Sequence, residues 1–460
     1  MSFMPPTDSI FLLAESREHP MHVGGLQLFI PPENAGPDYV RDLVAVFKAS
    51  DNVSPVFRKR PKEPVGSLGN AWWTLDETID FDHHIRHSAV PGPGRIRELL
   101  EMTSRWHGSL LDRHRPMWET HVVEGLQDGR IAIYSKIHHS LVDGVSASRM
   151  FQKSMSEDPN AMDCVPPWAA RPRKRSSKAG GFDPLGLVRN TLGVAGEVAG
   201  MAPATFRIAS TIIREGDIEM PKAPKTILNV PVGGARRFAA QSWEIERIKQ
   251  VARSSGTTLN DVVLAMVSGA LRDYLIEQHA LPDQPMTAMV PVSLALRAES
   301  AGVEDSGAGG NSVGAIIVNL ATDKADGATR LEEIAYSSSR AKKLVSGLSP
   351  TQFLAWSVFN MMPMVLGPIP GVVKYGPPPF NVIVSNVPGP RNDMYFNGAK
   401  LDGIYPVSIV LDGQAVNFTL TSRGNFLDFG IIGCRKSVPH LQRFLIHLET
   451  AIAELEKSWG

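Results

Sequence analysis

The sequence predicts an α+β protein whose mixed sheets are flanked by helices. Strand-like and helix-like segments alternate along the chain without the regular strand–helix–strand repeat that indicates a parallel doubly wound sheet. The chain has 460 residues, of which 43% are hydrophobic and 20% charged, and this is too long for one ordinary core. We therefore expect two or three domains.

Charge and cysteine content exclude several classes of protein. Lys+Arg and Asp+Glu both number 47, so no net charge attracts nucleic acid or an anionic membrane. Cys164 and Cys434 cannot form a disulfide framework and favour a reducing compartment. Residues 1–8 do not resemble a signal peptide, and no apolar run reaches the roughly 20 residues of a membrane span. We expect a cytoplasmic protein whose membrane contact is peripheral.

The sequence predicts a first domain over residues 1–160. In chain order, its expected elements are a strand that ends at residue 29, a helix from residue 37, short strands and loops over 55–94, an amphipathic helix over 96–110 and a strand over 120–124. An Asp-Gly pair at residues 128–129 stands between two apolar runs. This pair predicts a hairpin.

The composition changes near residue 159, where prolines and basic residues predict a flexible linker over residues 161–235. Its apolar segment 185–214 is interpreted as a core or interdomain helix in preference to a membrane-surface helix. A second domain of mixed α+β structure is predicted over residues 236–460. Its expected helices cover 244–254, 260–278, 330–345, 351–362 and 441–457, and its expected strands cover 286–292, 315–320, 381–385 and a hairpin over 416–432.

The stretch 131–144 carries the candidate chemistry. Isoleucines at alternate positions predict a half-buried strand, and His138 and His139 follow at its end. Asp143 and Gly144 come next, and Gly144 is expected to permit a turn where a side chain would clash. A histidine held at a strand end suits a general base, because imidazole titrates near neutral pH.

Other chemistries are weaker alternatives. The sequence has no Gly-x-Ser-x-Gly elbow, phosphate-binding loop or dinucleotide fingerprint. His83, His84 and His87 form a cluster, but neighbours on a strand point to opposite faces, so we expect a structural role and no metal site. No serine or cysteine is marked as a nucleophile. The simplest chemistry is therefore removal of a proton from an acceptor hydroxyl as it attacks an activated acyl group.

Residues 138–144 resemble the HHxxxDG signature of the CoA-dependent acyltransferase superfamily, which includes chloramphenicol acetyltransferase and peptide-synthetase condensation domains. More of the chain resembles one branch, the bacterial wax ester synthase/acyl-CoA:diacylglycerol acyltransferase family. The further matching blocks are residues 20–26, 115–118 (the PLW motif, with Met117 in place of leucine), 258–261 (the ND motif), 310–314, 385–390 and 405–408. They occur in the expected order over almost the whole chain.

The resemblance implies two chloramphenicol acetyltransferase-like domains with an active-site tunnel at their interface. It implies an O-acyltransferase that moves a long-chain acyl group from acyl-CoA to diacylglycerol, to a long-chain alcohol, or to both. No covalent intermediate, metal or cofactor is implied, since acyl-CoA is a substrate. The lipid acceptors imply peripheral association with the inner membrane or lipid droplets, and segment 185–214 is a place to test it.

The resemblance also assigns roles to residues. His139 would be the general base, and His138 would line the site and help to orient it. Asp143 would be structural, with Arg297 as its candidate partner, and Gly144 would support the turn. The substrate chamber would include Trp118, Asn260, Asp261, Asn311 and Asn386. The sequence does not identify the groups that stabilise the tetrahedral oxyanion, and Asn260 is one candidate.

Two other functions remain open from the sequence. A condensation-type or polyketide-associated acyltransferase would use carrier-protein thioesters, and turnover of acyl-CoA without a carrier protein would exclude it. A lipid-binding protein of lipid droplets would have no catalytic need for His139.

Overall fold

The computed structural model describes residues 2–50, 52–62, 72–170, 222–293, 313–347, 352 and 376–460. The strands are β1 Ser2–Phe3, β2 His22–Ile30, β3 Lys59–Pro61, β4 Trp72–Leu75, β5 Ile85–Ala89, β6 Trp118–Glu124, β7 Ile131–His138, β8 Arg236–Glu244, β9 Thr287–Ser293, β10 Val313–Asn319, β11 Val382–Val387, β12 Tyr395–Phe396, β13 Ala399–Val407, β14 Val416–Arg423 and β15 Phe426–Cys434. The helices are α1 Pro6–Ala14, α2 Tyr39–Lys48, α3 Phe81–His84, α4 Ile96–His107, α5 Gly144–Lys153, α6 Ile245–Ser255, α7 Leu259–Glu277, α8 Gly327–Gly347 and α9 Arg443–Trp459.

Several predictions fall outside the described residues. These are Arg297, Asn311, segment 185–214 and, apart from residue 352, the helix over 351–362. Within the described ranges, no helix is long and apolar enough to cross a membrane.

The first large sheet contains β7 and has the strand order β12-β13-β2-β7-β6-β5. β7 lies between β2 and β6 and is antiparallel to both. All eight of its residues are buried, so it is not the half-buried strand that its alternation predicted. Both of its faces are covered: Tyr134 packs in one cluster with Leu99 of α4, and Ile133 packs in another with Phe47 of α2.

The second large sheet has the order β10-β9-β11-β14-β15-β8 and is also mixed. β11 is parallel to both β9 and β14, whereas the β14–β15 and β15–β8 pairs are antiparallel. Helix α7 is buried along most of its length in the same core cluster as Phe418 of β14 and Phe444 of α9. The predicted mixed sheets flanked by helices are therefore confirmed.

The chain crosses between the two sheets at β13. This strand comes from the C-terminal half, yet it pairs with β2 in the first sheet, from Lys400 opposite Ile30 to Val407 opposite Gly24. The sheets are therefore not divided by the predicted boundary at residue 236. We did not predict β13, because a glycine and a proline (Pro406) interrupt its pattern. Proline is tolerated there because β12 pairs only with the first two residues of β13.

The structure describes the first and last parts of the predicted linker, residues 161–170 and 222–235. Each part contributes a buried side chain to one of the two halves of the fold. Trp168 is buried in the first, and its Nε1 donates to the carbonyl of Phe47 at 3.2 Å. Asn229 is buried in the second, and its Nδ2 donates to the carbonyl of Gly413 at 2.8 Å. Residues 161–170 and 222–235 are thus packed structure, and the flexible linker predicted over 161–235 does not extend to them.

The crossing strand lies directly against the second sheet. At Gly430 of β15, a Cβ atom would overlap the carbonyl oxygen of Pro406. Nearby, the buried carboxylate of Asp428 accepts a hydrogen bond of 2.8 Å from the backbone N–H of Ile404. Glycine at position 430 is therefore required by the close approach of the two backbones.

Replacing Gly430 with alanine tests this contact. We expect Gly430→Ala to lower the free energy of unfolding by about 1–3 kcal/mol, because the crossing strand must move to admit a methyl group. Urea denaturation measures the change.

Gly36→Ala is the matched control, since Gly36 is exposed and a Cβ there would meet nothing within 4 Å. Its effect should stay within about 0.5 kcal/mol. Equal effects of the two substitutions would contradict the close contact.

Candidate active site

The two histidines lie at the end of β7 and are fixed by main-chain hydrogen bonds to both neighbouring segments. The backbone N–H of His138 donates to the carbonyl of Met117 at 2.9 Å, and that of His139 donates to the carbonyl of Met21 at 2.8 Å. Because consecutive residues of extended chain point in opposite directions, the two rings occupy different environments.

Ser140 and Glu15 hold the ring of His138 away from the cavity. Ser140 approaches Nδ1 with its backbone N–H at 3.1 Å and with its hydroxyl at 2.6 Å. A backbone N–H can only donate, so Nδ1 is unprotonated and the proton lies on Nε2, which faces Glu15 Oε1 at 3.4 Å. Arg113 donates to Glu15 Oε2 from Nε and Nη2 at 3.0 and 2.9 Å. His138 is thus a buried support that does not line the cavity, although the sequence predicted a lining position.

A buried lysine braces the same strand. The ammonium group of Lys136 donates to the carbonyls of Trp106 and Ser109 at 2.6 and 2.7 Å, and lies 3.0 Å from Glu119 Oε1. A buried charge is tolerated only with such partners. The interaction fixes β7 against the end of helix α4, two residues before His138.

The ring of His139 faces the cavity. It stacks on Phe11 of α1, with ring centroids 4.2 Å apart and planes inclined by 18°. Burial is the main cause that lowers its pKa to about 4, while its own backbone and the carboxylate of Asp143 act in the opposite direction. The ring is therefore neutral at neutral pH and can accept a proton.

Asp143 stabilises the turn that follows the histidines. It caps helix α5, where Oδ1 accepts from the backbone N–H of Ser146 at 2.7 Å and Oδ2 accepts from its hydroxyl at 2.8 Å. These bonds agree with a structural role for Asp143.

Gly144 was expected to permit a turn in which a side chain would clash, and this expectation was wrong. The φ of Gly144 is not positive, and a Cβ atom there would meet nothing within 4 Å. Gly144 instead leaves open space in the cavity wall.

A cavity of about 290 Å³ lies between the two sheets and contains His139. The side chains that form its walls come from α1, the first sheet, helix α5, the crossing strand and the second sheet. Among them are Phe11, Val23, Gln27, Trp118, Thr120, Ser135, Ile137, Ala147, Phe151, Ile383, Val387, Ile404, Ile409, Asn417 and Thr419. Both halves of the chain are needed to enclose the space around the histidine.

Trp118 of the PLW block lines this cavity. Its indole Nε1 donates to the carbonyl of Phe57 at 2.9 Å, and its ring stacks between His84, at a centroid distance of 4.4 Å, and Trp168, at 5.0 Å. The side chain is buried and its orientation is fixed on both faces.

The structure places three other predicted chamber residues away from this lining. Asn260 and Asp261 lie in the first turn of α7, where Asp261 forms a capping box with Thr258. Asp261 therefore supports the helix start. Asn386 is exposed, because strand alternation turns Ser385 and Val387 inward and Asn386 outward.

The block at 385–390 contacts the helix that follows the histidines. Nε2 of Gln152 in α5 donates to the carbonyl of Pro388 at 3.2 Å. At Gly389 a Cβ atom would overlap the carbonyl oxygen of Ser422. The block therefore joins α5 to β14 across the interface, and its glycine is needed for that close approach.

The histidine cluster at 83–87 has structural contacts. His84 Nδ1 lies 2.8 Å from the carbonyl of Trp118, and His87 Nε2 lies 3.0 Å from Glu124. We expected His83 and His84 to lie on a strand. They belong instead to the short helix α3. Among the residues that the structure describes, no group of three or more His, Cys, Asp or Glu side chains lies close enough together to hold a metal ion.

The sequence did not reveal Phe11, Glu15 or Asn417. Each reaches the histidines or the cavity through contacts between distant segments, and no short-range spacing indicates them.

The fold and site define a class of two-domain acyltransferase-like proteins with HHxxxDG at the domain interface. The first condensation domain of the CDA synthetase shares this fold, with a TM-score of 0.56 over 100% of this chain and 97% of that one, at 15% identity. A family model described as the wax ester synthase/diacylglycerol acyltransferase catalytic domain matches residues 4–263, and the model of the WS/DGAT C-terminal domain matches residues 309–456. The chain belongs to the wax ester synthase/diacylglycerol acyltransferase family.

Relatives match along their whole length. A probable diacylglycerol O-acyltransferase (tgs2) of Mycobacterium tuberculosis is 50% identical over 100% of both chains. The O-acyltransferase WSD of Acinetobacter baylyi is 40% identical, over 98% of this chain and 96% of that protein. The solved wax ester synthase/diacylglycerol acyltransferase of Marinobacter aquaeolei VT8 superposes with a TM-score of 0.80 at 40% identity, over 100% of both chains. The protein is an acyltransferase.

The pKa of His139 predicts an unusual pH dependence. A base must be unprotonated, so its contribution is present above the pKa and is lost as the pH falls through it. We expect kcat/KM to persist through pH 6.5, the ordinary value for histidine, and to fall only near pH 4. Initial rates between pH 4 and 8 measure this, with circular dichroism at each pH as the control for unfolding. A loss centred near 6.5 in folded protein would contradict the lowered pKa.

Proposed function

We propose that this protein transfers a long-chain acyl group from acyl-CoA to the hydroxyl of diacylglycerol or of a long-chain alcohol. The observation that carries the proposal is the neutral ring of His139 in a largely apolar cavity enclosed by both halves of the chain. The names of the relatives support the same acceptors. The products are triacylglycerol and wax ester respectively.

His139 acts as the general base. It accepts the hydroxyl proton as the acceptor oxygen attacks the thioester carbonyl carbon, and a tetrahedral oxyanion forms. Collapse of this intermediate breaks the C–S bond and expels the CoA thiolate, which then takes the proton from His139. A thiolate is a better leaving group than the alkoxide, because a thiol ionises near pH 8.5, so the reaction proceeds towards the ester.

Transfer is direct, without an acyl-enzyme. No serine, threonine or cysteine of the described cavity wall forms a hydrogen bond to His139, and such a bond marks an activated nucleophile. Ser140 is buried, contacts His138 and does not line the cavity.

The apolar walls suit both substrates. Side chains such as Val23, Ile137, Ile383 and Val387 face the space beside the histidine. Each buried methylene group of a hydrocarbon chain contributes about 0.8 kcal/mol to binding. Exclusion of water by the same walls protects the thioester from hydrolysis.

The acceptors are insoluble in water, and for this reason we also propose that the protein works on a lipid surface. It would be cytoplasmic and peripherally associated with the inner membrane or with lipid droplets, where diacylglycerol and long-chain alcohols partition. The acyl donor would arrive from the aqueous side as acyl-CoA.

Release of CoA from palmitoyl-CoA tests the function and the role of His139 together. We expect activity with hexadecanol, with dipalmitoylglycerol or with both, in the absence of a carrier protein. In His139→Ala, kcat should fall by about 10²–10⁴-fold, the usual contribution of a general base.

His87→Ala is the matched control, because His87 is partly exposed, pairs with Glu124 and does not line the cavity. Its activity should equal that of the wild type. Full activity in His139→Ala would exclude the mechanism, and inactivity of the wild type with both acceptors would exclude the function.

A further inference from the structure

A polar row runs along the inward face of β14, within a cavity that is otherwise mostly apolar. Asn417, Thr419 and Thr421 all line the cavity and are only 3%, 5% and 1% exposed. Burial of polar groups is costly unless they form hydrogen bonds, so each needs a partner.

Two of the three side chains have their donors occupied by the protein. The hydroxyl of Thr421 donates to the carbonyl of Val387 at 2.7 Å, and the hydroxyl of Thr419 donates to Oδ1 of Asn417 at 2.8 Å. The second bond fixes the amide plane of Asn417 and assigns its oxygen as an acceptor. Its two N–H groups on Nδ2 have no acceptor among the residues that the structure describes.

The backbone path places Asn417 on the wall of the cavity that His139 faces. Val407 pairs with Gly24, so Ser408, the next residue, lies at the level of Val23. Val23 pairs with Ile137, two residues before His139.

The chain then turns back. An antiparallel bridge joins Leu411 to Gln414, and Asn417 follows three residues later in β14. Ser408 and Asn417 both line the cavity. The free amide donors therefore face the same cavity as the ring of His139.

We propose that Asn417 donates a hydrogen bond to the oxyanion that forms on the thioester carbonyl, with Thr419 as the positioning residue for its amide. A fixed donor in a poorly solvated cavity stabilises charge strongly, since no reorganisation is needed as the charge develops. In this role Asn417 replaces Asn260, our sequence-based candidate, which lies in α7 outside the cavity lining. The inference rests on the proposed acyl transfer.

Steady-state kinetics of Asn417→Leu with two acceptors tests the proposal. An oxyanion forms whichever acceptor attacks, so kcat should fall about 10²–10³-fold with hexadecanol and with dipalmitoylglycerol alike, while KM changes little. Thr419→Val removes only the bond that orients the amide, and it should cause a smaller loss of kcat with both acceptors.

Thr421→Val is the matched control on the same strand, because its hydroxyl is already bonded to Val387. The kcat loss in this variant should be far smaller than in Asn417→Leu. If Asn417→Leu does not fold, Asn417→Ala removes both amide donors without introducing a larger apolar side chain, and it should lose kcat to a similar extent.

Two outcomes would overturn the proposal. Near-normal kcat in the folded Asn417 variant would exclude an oxyanion donor. A loss confined to dipalmitoylglycerol would assign Asn417 to recognition of the ester groups of that acceptor. In both cases a normal wild type and an inactive His139→Ala would leave the proposed function intact.

Discussion

The site depends on the rigid end of strand β7. Hydrogen bonds to the carbonyls of Met117 on one side and Met21 on the other fix the backbone of two adjacent histidines. Because the chain is extended there, one ring must point into the protein and the other into the cavity. The buried Lys136 holds the same strand against helix α4. The different roles of His138 and His139 follow from this backbone geometry.

Most of the charged groups near the histidines lie behind the strand, and the two that border the cavity, Lys136 and Asp143, are held by hydrogen bonds within the protein. Glu15 and Arg113 face His138, and Glu119 pairs with Lys136. The cavity itself receives a neutral imidazole with a lowered pKa and mostly apolar walls. This arrangement suits uncharged, hydrophobic reactants, because the charges that border the cavity already have partners in the protein and the other walls are mostly apolar. It also leaves the base free to accept a proton over a wide pH range.

Local patterns predicted those parts of the protein that local interactions determine. Helices such as α4 and α7 were identified from apolar positions that fall on one side, and the hairpin at β14–β15 from its turn. HHxxxDG located the histidines because the motif is contiguous. The crossing strand β13 was not predicted, since its glycine and Pro406 look like strand breakers until its weakly paired edge is known.

The rest of the site arises from contacts between distant segments. Phe11 reaches His139 from the N-terminal helix, and Asn417 reaches the cavity by way of the turn after β13. Asn386 was predicted to face the chamber from its motif alone. The register of β11, which decides the direction of each side chain, turns it outward.

The central claim is that His139 activates the acceptor for direct attack on acyl-CoA. Intact-protein mass spectrometry after incubation with palmitoyl-CoA alone tests it most directly, since an acyl-enzyme on any side chain, including Ser140 beside His138, would add the mass of one palmitoyl group. The account predicts an unmodified protein mass, with CoA released only when hexadecanol or dipalmitoylglycerol is added. A protein that carries one palmitoyl group, and that loses it on addition of the acceptor, would contradict the account.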